Sequence, residues 1–131
     1  MTPAGTLLLV DDEPSLRRLA NRILSAQGYT VLEGAHGQEG LDQIMKDVDK
    51  AIQILVTDIV MPVMDGHKLA VAARLIRPDL KILFVSGYVD QMVPGDFMSQ
   101  YGIQLLKKPF TPTELAGKVR EIIAGPGPRP A

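Results

Sequence analysis

A chain of 131 residues, 46% of them hydrophobic, suits one packed domain and excludes a disordered one. Its 14 Lys and Arg against 15 Asp and Glu leave a formal net charge of -1, which offers no electrostatic footprint for nucleic acid or for an anionic membrane. There is no cysteine, which excludes a disulfide framework and thiolate metal sites, and the opening MTPAG has neither the basic region nor the apolar run of a signal peptide or membrane span, so a cytoplasmic domain is expected.

Short apolar runs then alternate with amphipathic stretches. TLLLV (6–10) reads as a strand of continuous apolar character, as strands covered on both faces do. Leu16, Leu19, Ala20, Ile23 and Leu24 follow at helical spacing, with Arg17, Arg18, Asn21 and Arg22 on the other face. YTVLE (29–33) is a weaker strand, and Leu41, Ile44, Met45 and Val48 repeat the helical pattern. ILVT (54–57) is a third apolar strand. Asp65 then caps a helix from Gly66 to Ile76, on which Leu69, Ala72, Ala73 and Ile76 share a face. KILFV (81–85) and IQLL (103–106) complete five strands. Between those two, DQMVPGDFMSQYG (90–102) has room for a helix that Pro94-Gly95 interrupts, so a short or late-starting, mobile element is expected. In TPTE (111–114), Thr111 caps a last helix, Pro112 takes its first position and Glu114 closes a capping box; Leu115, Val119, Ile122 and Ile123 carry it on. After Ala124, GPGPRPA reads as a flexible tail or the stub of a linker, which makes residues 1–124 the domain and 125–131 the tail. Strands alternating with helices imply βαβ units and a parallel sheet with helices on both sides; there is no internal repeat.

In an open parallel α/β sheet, ligands bind beyond the carboxyl ends of the strands, near the point where strand order reverses. The first strand here runs into Asp11-Asp12-Glu13, and ILVTDIVMPVMDG puts Asp58 at the end of the third. The fourth ends in Ser86-Gly87 and the fifth in Lys107-Lys108-Pro109. Singly, each has a bland reading: acidic loop residues are usually solvated, Ser-Gly makes a turn, and Lys-Pro means little. Jointly, four consecutive strand ends that bring carboxylates, a hydroxyl and an ammonium to one edge are hard to obtain by chance. Clustered carboxylates repel, and a hard divalent cation resolves the repulsion; oxygen-only ligands favour Mg²⁺ or Mn²⁺ over zinc. Such a cation leaves positions open for phosphate oxygens, and the hydroxyl and ammonium would hold the others, so Asp58 becomes a carboxylate that can be phosphorylated. His36 and His67 lie far apart and read as surface residues rather than metal ligands.

The motifs LLLVDDE, ILVTDIVMPVMDG, ILFVSGY and LKKPF, in this order and spacing over about residues 6 to 124, resemble the receiver domains of two-component response regulators. The resemblance implies a doubly wound, flavodoxin-like α/β fold: a five-stranded parallel sheet of order 2-1-3-4-5 with helices on both faces. It implies Asp58 as phosphoacceptor, taking a phosphoryl group from a histidine of a sensor kinase. Asp12 would hold Mg²⁺ directly and Asp11 through water, with Asp58 and the backbone carbonyl of Val60 as further ligands. Ser86 would be the hydroxyl that swings toward the phosphoryl oxygens. Lys108 would be the cation that contacts them, before a Lys-Pro bond that family members usually hold in cis, with Lys107 pointing away. By the same resemblance the domain is a signalling phosphoacceptor rather than an enzyme. It would switch the face formed by residues 90–124, which with the first helix docks partners, and be a monomer or a weak phosphorylation-dependent dimer that binds no nucleic acid or membrane.

Two departures matter. Many receivers carry Phe or Tyr at the position of Leu105, which puts the usual aromatic readout in question; Tyr101 or Tyr88 would contribute differently, and Tyr101 reads at least as well as a ring packing the end of the irregular helix. Val60 and Tyr88, apolar or bulky beside the site, imply slow self-dephosphorylation. The run from ILFVSGYVDQMV to LLKKPFTPTELAGKVREII resembles receivers at the C-terminus of hybrid sensor kinases, which pass the phosphoryl group to a histidine phosphotransfer protein. The chain starts with Met and carries no kinase or DNA-binding segment, which leaves a single-domain regulator and a fragment both open. Three rivals fare worse. A phosphatase of the haloacid dehalogenase group needs a second Asp where Val60 stands. A phosphorylation-independent pseudo-receiver, a pure interaction module, would have lost Asp58, Lys108 or the acidic pair. A dinucleotide site needs a glycine-rich loop where Asp-Asp-Glu-Pro stands.

Overall fold

The structure, a computed structural model, describes residues 5–59, 61, 64–87 and 102–125. Five parallel strands, β1 (Gly5–Val10), β2 (Tyr29–Gly34), β3 (Ile52–Asp58), β4 (Lys81–Ser86) and β5 (Gln104–Lys107), form one sheet in the order β2-β1-β3-β4-β5. The described helices are α1 (Pro14–Ala26), α2 (Gly37–Lys46), α3 (Gly66–Ile76) and α4 (Pro112–Ala124).

The period of two along each strand sorts the core into two layers. Leu7 and Leu9 of β1, Ile54 and Val56 of β3, and Leu83 and Val85 of β4 pack with Ala20 and Leu24 of α1 and Leu115, Val119 and Ile122 of α4. The intervening Leu8 and Val10, Leu55, and Ile82 and Phe84 pack with Ile44 of α2 and Leu69, Ala70 and Ala73 of α3. Both faces of the central strands are therefore covered, which is why these strands read as unbroken apolar runs. The sheet switches direction between β1 and β3, and the acidic residues lie at that point.

Helix ends follow the expected chemistry. Asp65 caps α3 by accepting from the Lys68 amide at 2.8 Å. Thr111 and Glu114 form the reciprocal capping box of α4, with bonds of 3.0 and 2.8 Å. The other end of α4 is held by Lys81, whose ammonium donates to the carbonyls of Ile123 at 2.6 Å and Gly125 at 2.8 Å.

Other expectations need correction. Met45 is exposed, and Val48, 82% exposed, lies beyond the end of α2. The chain turns there because Asp47 accepts from the amides of Ala51 and Ile52, at 3.0 and 2.8 Å, and pairs with the buried Arg77 at 3.3 Å. Leu19 and Ile76 are exposed as well, so the apolar stripes of α1 and α3 are narrower than their spacing suggests. Arg17 and Asn21, assigned to the outer face of α1, both reach inward to Glu33 of β2. The irregular element expected at 90–102 lies outside the described residues apart from Gly102, and the tail does so beyond Gly125. Among the described residues, no helix is long and apolar enough to cross a membrane.

Candidate functional site

Strand parity carries the core outward into the site. Leu7 and Leu9 share their face of the sheet with the next residue of that parity, Asp11; Ile54 and Val56 lead to Asp58, and Leu106 leads to Lys108. Three strands thus deliver two carboxylates and an ammonium to one end of the α1/α4 face. Lys108 Nζ lies 3.2 Å from Asp58 Oδ2 and 3.5 Å from Asp11 Oδ2. Leu9, Val56 and Val85 lie beneath them.

Asp11 is buried and fixed from several sides. Its amide donates to the Gly34 carbonyl at 3.2 Å, and its Oδ1 accepts from the Glu13 amide at 2.9 Å. Its carbonyl accepts from Arg17 at 2.7 Å. Asp12 is exposed. Ser86 is buried at the end of β4, on the strand parity of the opposite core layer, and its carbonyl accepts the Lys108 amide at 2.7 Å. The peptide bond between Lys108 and Pro109 is cis. Lys107 is exposed, and Met61 is buried in the α2/α3 core layer.

The loop after β3 is closed by Gly66, whose amide donates to the Ile59 carbonyl at 2.7 Å. A Cβ at Gly66 would lie 2.2 Å from the carbonyl oxygen of Asp58, a separation no side chain tolerates. The Gly of Met-Asp-Gly in the motif is therefore required by the main chain of Asp58 itself. Val60, Pro62 and Tyr88 lie outside the described residues, as does Tyr101.

Burial pushes the Asp58 carboxyl above its ordinary value of 3.8; Lys108 opposes that shift, and the charge of Asp11 adds to it. Burial works against the charge of Lys108, but Asp58 and then Asp11 outweigh it and hold the ammonium above its ordinary 10.5. Lys108 therefore keeps its positive charge beside the carboxylates of Asp58 and Asp11.

Carboxylate oxygens of Asp11, Asp12 and Asp58 all lie within 4.8 Å of one another. Opposed ligands on one Mg²⁺ are about 4.2 Å apart, so the set fits a hard cation with slight contraction or with water completing one link. Asp11, with Oδ1 already taken by an amide, suits the water-mediated position. Neither histidine joins a metal-ligating group among the described residues; His36 instead caps α2, accepting from the Glu39 amide at 3.4 Å.

Sequence reasoning missed the Arg17–Glu33 pair, which meets at 2.8 Å. Its signal was Glu33 itself, an acidic residue at the end of a strand that runs parallel to β1, opposite Leu9.

The sequence profile of the response regulator receiver domain matches residues 7–120. The sensor kinase CckA of Brucella abortus is 38% identical over 94% of this chain, which spans only 13% of that kinase's length. The response regulator receiver protein CpdR of the same organism is 32% identical over 89% of this chain and 95% of its own. The crystal structure of the receiver domain from the hybrid histidine kinase CckA superposes with a TM-score of 0.77 at 34% identity, over 91% of this chain and 99% of that one.

Proposed function

The chain belongs to the response regulator receiver domain family, and from that premise we propose that it accepts a phosphoryl group on Asp58 in a reaction that requires a divalent cation. The observation that carries this reading is the convergence of the Asp58 carboxylate, the Asp11-Asp12 pair and Lys108 at one end of the sheet.

Asp58 Oδ attacks the phosphorus of a phosphohistidine; the new O–P bond forms as the P–N bond breaks, and the imidazole leaves with the electron pair. β3 holds the nucleophile on a rigid element, and Lys108 donates to the oxygens of the transferring group from the contact it already makes with Asp58. Asp11, Asp12 and Asp58, with the carbonyl of Val60, would hold Mg²⁺ or Mn²⁺, which when bound supplies charge neutralisation for the phosphoryl oxygens. Ser86 turns its hydroxyl to a phosphoryl oxygen after transfer, which links the modification to the β4 end of the sheet. The donor is a sensor histidine kinase, and a histidine phosphotransfer protein is the onward acceptor. The domain acts as a signalling phosphoacceptor, and the apolar or bulky character of Val60 and Tyr88 in the sequence implies slow self-dephosphorylation.

The test is intact-mass spectrometry after incubation with Mg²⁺ and a small-molecule phosphodonor. Wild type should gain one phosphoryl group, and Asp58→Asn or omission of the cation should abolish the gain. A wild type that binds the cation yet gains nothing, even from a histidine kinase, would favour the phosphorylation-independent interaction module.

A further inference from the structure

Asp11 presents its carboxylate to the site, but its main chain is held from outside the site. β2 ends at Gly34, and the carbonyl of Asp11 is taken by Arg17 Nη1 at 2.7 Å. The same guanidinium donates through Nε to Glu33 Oε1 at 2.8 Å, and Asn21 donates to the other oxygen of that carboxylate. Glu33 lies opposite Leu9 in the β1–β2 register, two residues before Asp11. The fork of an arginine can bridge a carbonyl and a carboxylate in one plane, whereas a lysine holds one point at a time. The Arg17 side chain is only 17% exposed and that of Glu33 34%, so the bridge is partly buried.

The geometry points to Arg17 as a positioning residue: anchored by Glu33 and Asn21, it fixes the turn Asp11-Asp12-Glu13 in the orientation that binds the divalent cation. This rests on the cation-dependent reading of the site. The sign of the effect separates positioning from simple charge. Arg17 is a cation beside a cation site, so by electrostatics alone its removal would tighten Mg²⁺ binding. Loss of an orienting contact weakens binding, typically by about 10- to 100-fold for groups that support metal ligands.

The experiment is calorimetric titration of Mg²⁺ into the full chain as wild type, Arg17→Met, Arg17→Lys and Lys118→Met, with melting curves of each metal-free protein. Lys118 of α4 pairs with Glu121 on the same helix and with Gln104 of β5, and controls for loss of one positive charge. Arg17→Met should raise Kd about 10-fold or more, Arg17→Lys should recover part of the loss, and Lys118→Met should match wild type. If Arg17→Met does not fold, the comparison of Arg17→Lys with Lys118→Met decides the matter. Unchanged or tighter binding in the Arg17 variants would overturn the positioning role and leave the site reading intact. A wild type that binds no Mg²⁺ would overturn both.

Discussion

At the scale of single residues, Asp58 is a charge kept at a cost. Burial, with the charge of Asp11 beside it, outweighs the attraction of Lys108, so its folded-state pKa lies above the unfolded value of 3.8. Ionised Asp58 therefore lowers stability at every pH above the folded value, and the penalty fades as pH falls through the folded value and is gone below 3.8, where both states are protonated. Asp58→Asn, which keeps the shape without the charge, is expected to melt roughly 2 °C or more above wild type at pH 7 in metal-free buffer, with the gap closing toward pH 4. Thermal scans across that range test it, and an Asn variant that melts lower at neutral pH would show that the Lys108 contact dominates instead. Lys108 runs the other way. Its raised pKa stabilises the fold at all pH values below 10.5, and that contribution is lost only as pH rises through the folded value.

At the scale of elements, the ends of α4 are defined by side chains at both termini. Thr111→Ala removes the donor-satisfying half of the capping box and is expected to cost about 1 kcal/mol in denaturant titration. That box was legible in TPTE because capping is a local rule with fixed spacing. The strands were legible for a similar reason: Leu7 to Val10 and Ile54 to Val56 are covered on both faces, so composition alone betrays them. The end of α2 was not legible. Met45 and Val48 continue the 3.6-residue period by accident, and the turn that overrides it depends on Arg77, which is 30 residues away in sequence from its partner Asp47. Arg17 was misread for a related reason. A cation on the outer side of an amphipathic pattern looks solvated until β2 supplies Glu33 beside it. The placement of Asp58, Ser86 and Lys108 at the strand ends was legible because a parallel sheet turns strand ends into addresses, whereas the supports around them lie off that edge.

At the scale of the whole molecule, the site and the fold share one free energy. A cation that binds only the folded chain stabilises it by RT ln(1 + [L]/Kd), about 2.7 kcal/mol at a hundredfold excess over Kd. Mg²⁺ at that excess should raise Tm by several degrees, and a chelator should reverse the gain. The rise should be much smaller in Asp58→Asn, which lacks one of the three clustered carboxylates. An equal rise in both proteins would place the cation elsewhere.

The sheet order also divides the site mechanically. Asp11 follows β1 and Asp58 ends β3, two neighbouring interior strands whose apolar residues are almost wholly sealed from water. Lys108 follows β5, a four-residue border strand with no fully buried residue, bonded to the sheet along one side only. The anionic half of the site is thus set in bedrock, while its cationic half follows the rim of the sheet. A change of charge at Asp58 would therefore meet largely buried strands on one side and a partly exposed border strand on the other.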